Sequence, residues 1–170
     1  MFNVIKPPTK LTAKHLENIT IFLGGSIEMG IADNWQDRVI QHLSLHEDVV
    51  VMNPRRDDWD SSWRQHPDDP RFHEQVMWEL RCQENSDINC YYFDPNTKSP
   101  ITLLELGLFG RSIGKSGRKT IVYCTEDFWR YGNVKMVCDY LNVKIVSNWF
   151  EFMKEIDDSI YRTKLKYFNF

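Results

Sequence analysis

One carboxylate of this chain, that of Glu105, stands inside an apolar segment. Its neighbours along the sequence include Leu103, Leu104, Leu106 and Leu108. Burying an ionised carboxylate is unfavourable unless a partner compensates its charge. Carboxyl groups set in apolar clefts also have perturbed pKa values, as catalytic acids, bases and nucleophiles often require. We therefore take Glu105 as the first candidate for a catalytic residue.

A glycine pair follows the first apolar run of the chain. Residues 18–23 read NITIFL, and Gly24-Gly25-Ser26 comes directly after them. Glycine lets a backbone approach a ligand closely, and the Ser26 hydroxyl can bond to a sugar hydroxyl or a phosphate. The loop lacks both the GxGxxG pattern and the lysine of a P-loop. A tight turn between strand and helix is therefore an equally good interpretation.

Two cations and two anions follow the second apolar run. Residues 53–59 read NPRRDDW and include Arg55, Arg56 and Asp57. Such a group can clamp a sugar or a carboxylate, but it can equally form a salt-bridged loop. Either arginine can also neutralise a buried carboxylate such as Glu105 and keep it ionised.

Potential metal ligands are scattered. His42 and His46 have the i, i+4 spacing of one helix face, but no glutamate lies between them as in a zinc-protease helix. We interpret the pair as a solvated helix end. The four cysteines form no CxxC pair and are predicted to be reduced core thiols. The residues imply no metal site.

Apolar runs alternate with segments of helical periodicity along the chain. Strands are predicted at residues 18–23, 49–52, 87–93, 119–124 and 143–146, and helices at about 32–45, 72–84, 101–112, 134–141 and 149–160. This alternation favours a parallel sheet covered on both faces, because parallel neighbours need crossover connections. We predict one α/β domain over residues 18–160 with a doubly wound, five-stranded parallel sheet. Residues 1–17 are expected to be an N-terminal extension and residues 161–170 a C-terminal tail.

This architecture predicts the position of a site. In open α/β sheets, ligands bind outside the carboxyl ends of the strands, where the strand order reverses. The loops 24–30, 53–63, 94–99 and 125–132 meet at that edge and are rich in polar and aromatic residues. Glu105 falls in the first turns of a helix that opens onto them.

Composition limits the class of partner. The net charge is -3 and the pI is about 5.9, and the basic residues are dispersed, which argues against a nucleic-acid partner. No apolar run is long enough to span a bilayer. The sequence predicts a soluble, cytoplasmic protein.

The order of these motifs resembles that of the nucleoside 2-deoxyribosyltransferase family, which includes the related deoxynucleoside monophosphate N-glycosidases. The strand with its GGS loop, then NPRRDDW, WEL at 78–80 and SPITLLELG at 99–107 carry the resemblance, which extends over residues 19–146. It implies a flavodoxin-like fold and cleavage of an N-glycosidic bond through a covalent deoxyribosyl-glutamate. It implies no metal or organic cofactor, because the glutamate supplies the covalent chemistry.

The resemblance also assigns roles to residues. Glu105 would be the nucleophile, as the carboxylate is in retaining glycosidases. Glu79 falls where the family has a base-contacting aspartate, and it would protonate or hydrogen-bond the departing base. The residues expected to hold the sugar and its 5' substituent are Ser26, Arg55, Asp57 and Ser99. A neighbouring subunit completes the pocket in the family from a loop that maps to residues 131–133, which implies a homodimer or larger homo-oligomer and makes Asn133 a binding residue.

Positions 99 and 28 give opposite indications about the substrate. The family's transferases have aspartate at position 99, where it contacts the 5'-hydroxyl, whereas the monophosphate glycosidases have a phosphate-binding serine, as at Ser99 here. Those glycosidases have arginine where this chain has Glu28, which would repel a phosphate. The donor therefore stays open between a nucleoside and its monophosphate, and the acceptor between a second base and water. A non-catalytic nucleotide-binding module that uses the same cleft is the alternative from another class.

Overall fold

The apolar runs of the sequence lie side by side in one parallel sheet. The computed structural model describes residues 2–27, 32–58, 60, 62–111 and 119–168. Its strands are β1 (Asn3–Ile5), β2 (Ile19–Gly25), β3 (Val49–Met52), β4 (Ile88–Phe93), β5 (Lys119–Cys124) and β6 (Lys144–Val146). Its helices are α1 (Ala13–Leu16), α2 (Trp35–Leu43), α3 (Pro70–Asn85), α4 (Pro100–Phe109), α5 (Tyr131–Leu141) and α6 (Trp149–Phe168).

The sheet has the strand order β1-β3-β2-β4-β5-β6, and all neighbouring strands are parallel. The doubly wound, flavodoxin-like α/β architecture is thus confirmed, with six strands rather than the predicted five. The additional strand, β1, belongs to the segment expected to be an extension, and it pairs with β3 through Val4 opposite Val51. At the other end of the chain, α6 continues to Phe168 instead of ending near residue 160.

Alternation along the strands divides the core between the two faces of the sheet. Ile21 and Leu23 of β2 pack with α2 and α6 on one face. Phe22, between them in sequence, packs on the other face against Trp78 of α3. Tyr91 of β4 faces the same side and packs with residues of α4 and α5. The helices α3, α4 and α5 therefore cover the face opposite to α2 and α6.

The C-terminal end of α2 and the turn after it contact the middle of α6. The histidines predicted to form a solvated helix end, His42 and His46, both contact the carboxylate of Asp157 in α6. The two side chains are 35% and 26% exposed, so this helix end is partly solvated and is paired with α6 rather than free. The partner lies more than 100 residues away in the chain, so the helical spacing of the histidines gave no sign of it.

The direction in which successive strands are added across the sheet reverses between β2 and β4. From β2 the chain runs outward to β3, and after α3 it returns to β4 on the other side of β2. Loops that follow β2 and β4 therefore meet at the carboxyl edge of the sheet, the usual binding edge of this architecture.

Local features determine where α3 and α4 begin. The Asp69 side chain accepts a hydrogen bond from the Arg71 backbone N–H and caps α3, with Pro70 as the first helical residue. Before α4, Ser99 adopts a left-handed conformation at φ 45° and ψ 49°, and Pro100 again opens the helix. This turn sends α4 back across the sheet, with its buried side facing β4 and β2.

No helix within the described residues is both long and apolar enough to cross a membrane.

Candidate active site

Glu105 lies in the second turn of α4 on its inward face. Its exposed fraction is 8%, and Thr102 and Leu106 are buried on the same side. Leu104 and Leu108, which made the segment look uniformly apolar, are instead exposed. The helix thus turns a carboxylate toward the sheet beside Leu106 and turns Leu104 and Leu108 toward the outside.

A glutamine and a tyrosine determine the orientation of this carboxylate. The amide of Gln83 in α3 donates a hydrogen bond from Nε2 to Oε1 of Glu105 at 2.7 Å. The Oε1 atom of the same Gln83 amide accepts a hydrogen bond from the Tyr91 hydroxyl at 2.7 Å. Because Tyr91 needs the amide oxygen on its side, the NH₂ group is directed at Glu105. The inward face of α3, a strand residue and α4 are thereby joined in one hydrogen-bond chain.

Glu79 lies one helical turn before Gln83 and is partly buried. Its Oε1 accepts a hydrogen bond from Nε2 of Gln75 at 2.7 Å. The same Nε2 contacts the backbone oxygen of Pro54, after β3, at 3.0 Å. Positions 75, 79 and 83 therefore form a polar stripe on the buried side of α3, facing α4.

The two glutamates have separated pKa values. Burial raises the pKa of Glu105 to about 7, against the opposing effect of its hydrogen bond from Gln83. Burial and the negative charge of Glu105 raise the pKa of Glu79 to about 8, although the hydrogen bond from Gln75 lowers it. The two carboxyl groups therefore lose their protons in successive steps around neutral pH, and these steps belong to the pair as a whole.

Arg56 does not neutralise the buried carboxylate of Glu105, as one interpretation of the sequence allowed. Its guanidinium pairs with Asp58 at 2.7 Å and lies 3.6 Å from Glu74. Among the described residues, neither Glu105 nor Glu79 forms an ion pair. This explains why burial dominates the pKa of both carboxyl groups.

Three hydroxyls meet where the loops after β2 and β4 come together. Ser26 and Ser99 have their Oγ atoms 2.5 Å apart, and Oγ1 of Thr97 lies 2.8 Å from the first and 2.7 Å from the second. Ser26 Oγ also accepts the backbone N–H of Asp94 at 2.9 Å. We call Ser26, Thr97 and Ser99 the hydroxyl cluster; all three residues are buried. The structure thus brings together the two serines predicted to bind substrate.

Arg55 and Asp57 lie after β3 in different surroundings. Arg55 is partly buried, and its Nη1 has no hydrogen-bond partner among the described residues, as is also true of Asn53 Nδ2. Asp57 is 82% exposed and pairs with Lys6 at 2.7 Å. Arg55 and Asn53 therefore offer free donors at the binding edge, whereas Asp57 is engaged by the N-terminal segment.

Asn133 is separated from the glutamates by a helix. It is exposed on α5 and lines a groove of about 330 Å³ together with Leu103, Gly107 and Arg130. This groove lies between α4 and α5, whereas Glu105 faces α3. Within one chain, Asn133 does not join the carboxyl pair.

Glu28, the position that argued against a phosphate, lies outside the described residues, as does Trp59.

Sequence reasoning missed the residues that support the glutamates. Gln75 and Gln83 repeat at i-4 and i+4 around Glu79, and that spacing was a usable signal. Tyr91 stands in an apolar strand, where it reads as ordinary core. Thr97 and Asn53 stand in loops, where polar residues are routine.

Comparison with known proteins identifies the family of the chain. No curated protein matches the chain. The family described as nucleoside 2-deoxyribosyltransferase like matches residues 18–128, a stretch that includes both glutamates and the hydroxyl cluster but not Asn133. Because this match covers more than half of the sequence, the chain belongs to the nucleoside 2-deoxyribosyltransferase-like family.

Proposed function

We propose that this protein cleaves the N-glycosidic bond of a 2'-deoxyribonucleoside or its 5'-monophosphate. The observation that carries the proposal is the pair of carboxyl groups on the facing sides of α3 and α4, held by Gln75 and Gln83, and burial raises the pKa of both. Reactions of this type need one ionised carboxylate and one protonated carboxyl group at the same time. A pair that shares one proton near neutral pH meets that need.

In this proposal Glu105 is the nucleophile. Its carboxylate attacks the anomeric carbon, the bond from that carbon to the base nitrogen breaks, and the electron pair leaves with the base. Glu79 gives its proton to the departing base or hydrogen-bonds it. The covalent deoxyribosyl-glutamate is then attacked by water or by a second base, so that hydrolysis and transfer share their first step.

The sugar and its 5' substituent are proposed to bind at the carboxyl edge. Ser26 and Ser99 supply hydroxyls, and Arg55 supplies a donor that has no hydrogen-bond partner among the described residues. Asp57 takes part only if a ligand draws it away from Lys6. No cofactor is needed for the proposed steps.

We also propose that two copies of the chain associate and that Asn133 serves the site of the other copy. Exposed apolar residues on the outer side of α4 and α5 support this arrangement, namely Ile101, Leu104, Leu108, Met136 and Tyr140. The groove that contains Asn133 lies beside them. A cytoplasmic location is proposed as well, since all four cysteines are free and buried.

The test compares the wild type with Glu105→Gln on deoxyribonucleosides and their 5'-monophosphates, with and without a second free base. Chromatography measures base release and exchange, and mass spectrometry of acid-quenched enzyme detects a sugar attached to the Glu105 peptide. We expect turnover and the adduct in the wild type and neither in the variant.

His73→Gln is a suitable control, because this histidine is exposed on α3 and should leave turnover unchanged. Binding of a nucleotide by folded wild-type protein without any base release would contradict the proposal and favour the non-catalytic binding module.

A further inference from the structure

Three potential metal ligands converge on the sheet face opposite to the glutamates. His42 in the last turn of α2 has its Nε2 2.9 Å and 3.0 Å from the two carboxylate oxygens of Asp157. Nε2 of His46, in the turn that follows, lies 3.3 Å from Oδ1 of the same carboxylate. One ligand atom from each residue lies within 4.8 Å of the other two.

We propose that His42, His46 and Asp157 form a binding site for a divalent transition-metal ion, with zinc as the first candidate. Bonds of zinc to nitrogen and oxygen are about 2.0–2.2 Å long, which separates neighbouring ligand atoms of a tetrahedral ion by about 3.4 Å. The observed separation of 3.3 Å between His46 and Asp157 already fits this value. The 2.9 Å separation between His42 and Asp157 needs to widen by only a few tenths of an ångström.

The donor set defines the class of ion. Two imidazole nitrogens and one carboxylate oxygen suit zinc, copper, nickel and cobalt, whereas magnesium and calcium prefer oxygen ligands alone. The three side chains are 35%, 26% and 39% exposed. An ion can therefore reach them from solvent, and water can complete its coordination.

The position of the site indicates a structural role. It joins the end of α2 and the turn after it to the middle of α6, two segments that also meet through the apolar core and through the ion pair of Asp48 with Lys164. The glutamates lie on the other face, between α3 and α4. The inference therefore does not rest on the proposed enzymatic function, and each can fail without the other.

Zinc binding to chelator-stripped, full-length protein provides the test. Isothermal titration calorimetry should find one ion per chain, and the affinity should rise with pH because protons compete for the imidazole nitrogens. His42→Gln and His46→Gln should each weaken binding at least about tenfold, since the loss of even an outer-shell partner costs that much. His73→Gln, on α3, is the matched control and should bind zinc as the wild type does.

A second measurement needs no variant. Diethyl pyrocarbonate modifies free imidazoles, and mass spectrometry locates the modified residues. Zinc should protect His42 and His46 in the wild type while leaving His73 unprotected. The absence of stoichiometric binding, equal affinity in all three variants, or equal modification of the three histidines with and without zinc would each overturn the proposal.

Discussion

Two glutamates on neighbouring helices can take opposite roles because their surroundings hold their protons differently. Glu105, with its pKa near 7, supplies a carboxylate at neutral pH, and Glu79, with its pKa near 8, keeps its proton there. If these are nucleophile and acid, kcat/KM should rise as Glu105 ionises and fall as Glu79 does. The two limbs report the titration of the pair as a whole.

Glu79→Gln should remove the alkaline limb of this profile. Glutamine can accept the hydrogen bond from Gln75 and can donate one to a base, but it cannot give up a proton. We expect the maximum of kcat/KM to fall by about 10²–10⁴-fold, with the acid limb retained. Initial rates of base release between pH 5 and 10 provide the measurement, and an alkaline limb that survives in the variant would assign it to another group.

Glu105→Gln should stabilise the protein at alkaline pH. Because folding raises the pKa of this carboxyl group, the folded state binds the proton more tightly than the unfolded state does, and stability falls as pH rises from about 4.5 through 7. Removing the charge should therefore add about 2–4 kcal/mol to the free energy of unfolding at pH 8 and almost nothing at pH 4. Urea denaturation at both pH values measures the difference. A variant that is no more stable than the wild type at pH 8 would show that the ionised carboxylate of Glu105 does not destabilise the folded state.

Sequence reasoning reached Glu105 because a carboxylate in an apolar run is rare, whereas it reached Glu79 only through the resemblance to a known family. It could not find Gln83 or Tyr91, since their role appears only when α3 and α4 lie side by side. The same limit applies to Asp157, whose partners lie on another helix. A reactive side chain can be recognised in the sequence, whereas the residues that support it are known only once distant elements have packed together.

The elements themselves were more predictable than the contacts between them. Each of β2 to β5 appeared as an apolar run, because strands buried on both faces need apolar residues at successive positions. The edge strand β6 was predicted from Val143, Ile145 and Val146. β1 and α1, with three and four residues, were not predicted. The long loop after β3 ends at the capping residue Asp69, and the sequence had placed the following helix there to within a few residues.

The end of β2 tolerates no side chain at Gly25. A Cβ there would lie 2.6 Å from the Tyr92 backbone oxygen and 2.8 Å from the Trp35 ring, and the backbone of β4 cannot move without breaking the sheet. Gly25→Ala should therefore lower the free energy of unfolding by about 3 kcal/mol or more.

Gly132→Ala serves as the control, because a Cβ at that position in α5 meets nothing within 4 Å. It should leave stability unchanged or raise it by up to about 1 kcal/mol, since alanine favours a helix more than glycine does. Thermal and urea denaturation compare the two variants with the wild type. Equal stability of Gly25→Ala and Gly132→Ala would contradict the close approach of β2 to β4.

At the scale of the whole molecule, the proposed association of two copies can be tested on α4. Leu104 is 69% exposed and points away from the sheet, so Leu104→Lys should leave the fold intact while placing a charge in the proposed interface. Light scattering coupled to size-exclusion chromatography should show a dimer or larger assembly for the wild type and a shift toward monomer for the variant.

Leu45→Lys is the matched control, because Leu45 is 82% exposed and lies after α2 on the other side of the molecule. If Leu104→Lys and the control keep the same mass as the wild type, the chain associates elsewhere or not at all. Loss of base release in Leu104→Lys alone would connect association with the completeness of the site.

The edge strand β1 has a consequence for the solubility of the molecule. Without it, β3 would present the backbone of four consecutive apolar residues, Val49–Met52, at the rim of the sheet. Such a rim is a template on which other chains can add strands and aggregate. β1 covers it with only three residues, and a short strand is itself a poor template. We therefore expect the first few residues of the chain to hinder strand addition at this rim, a role separate from any contribution to catalysis.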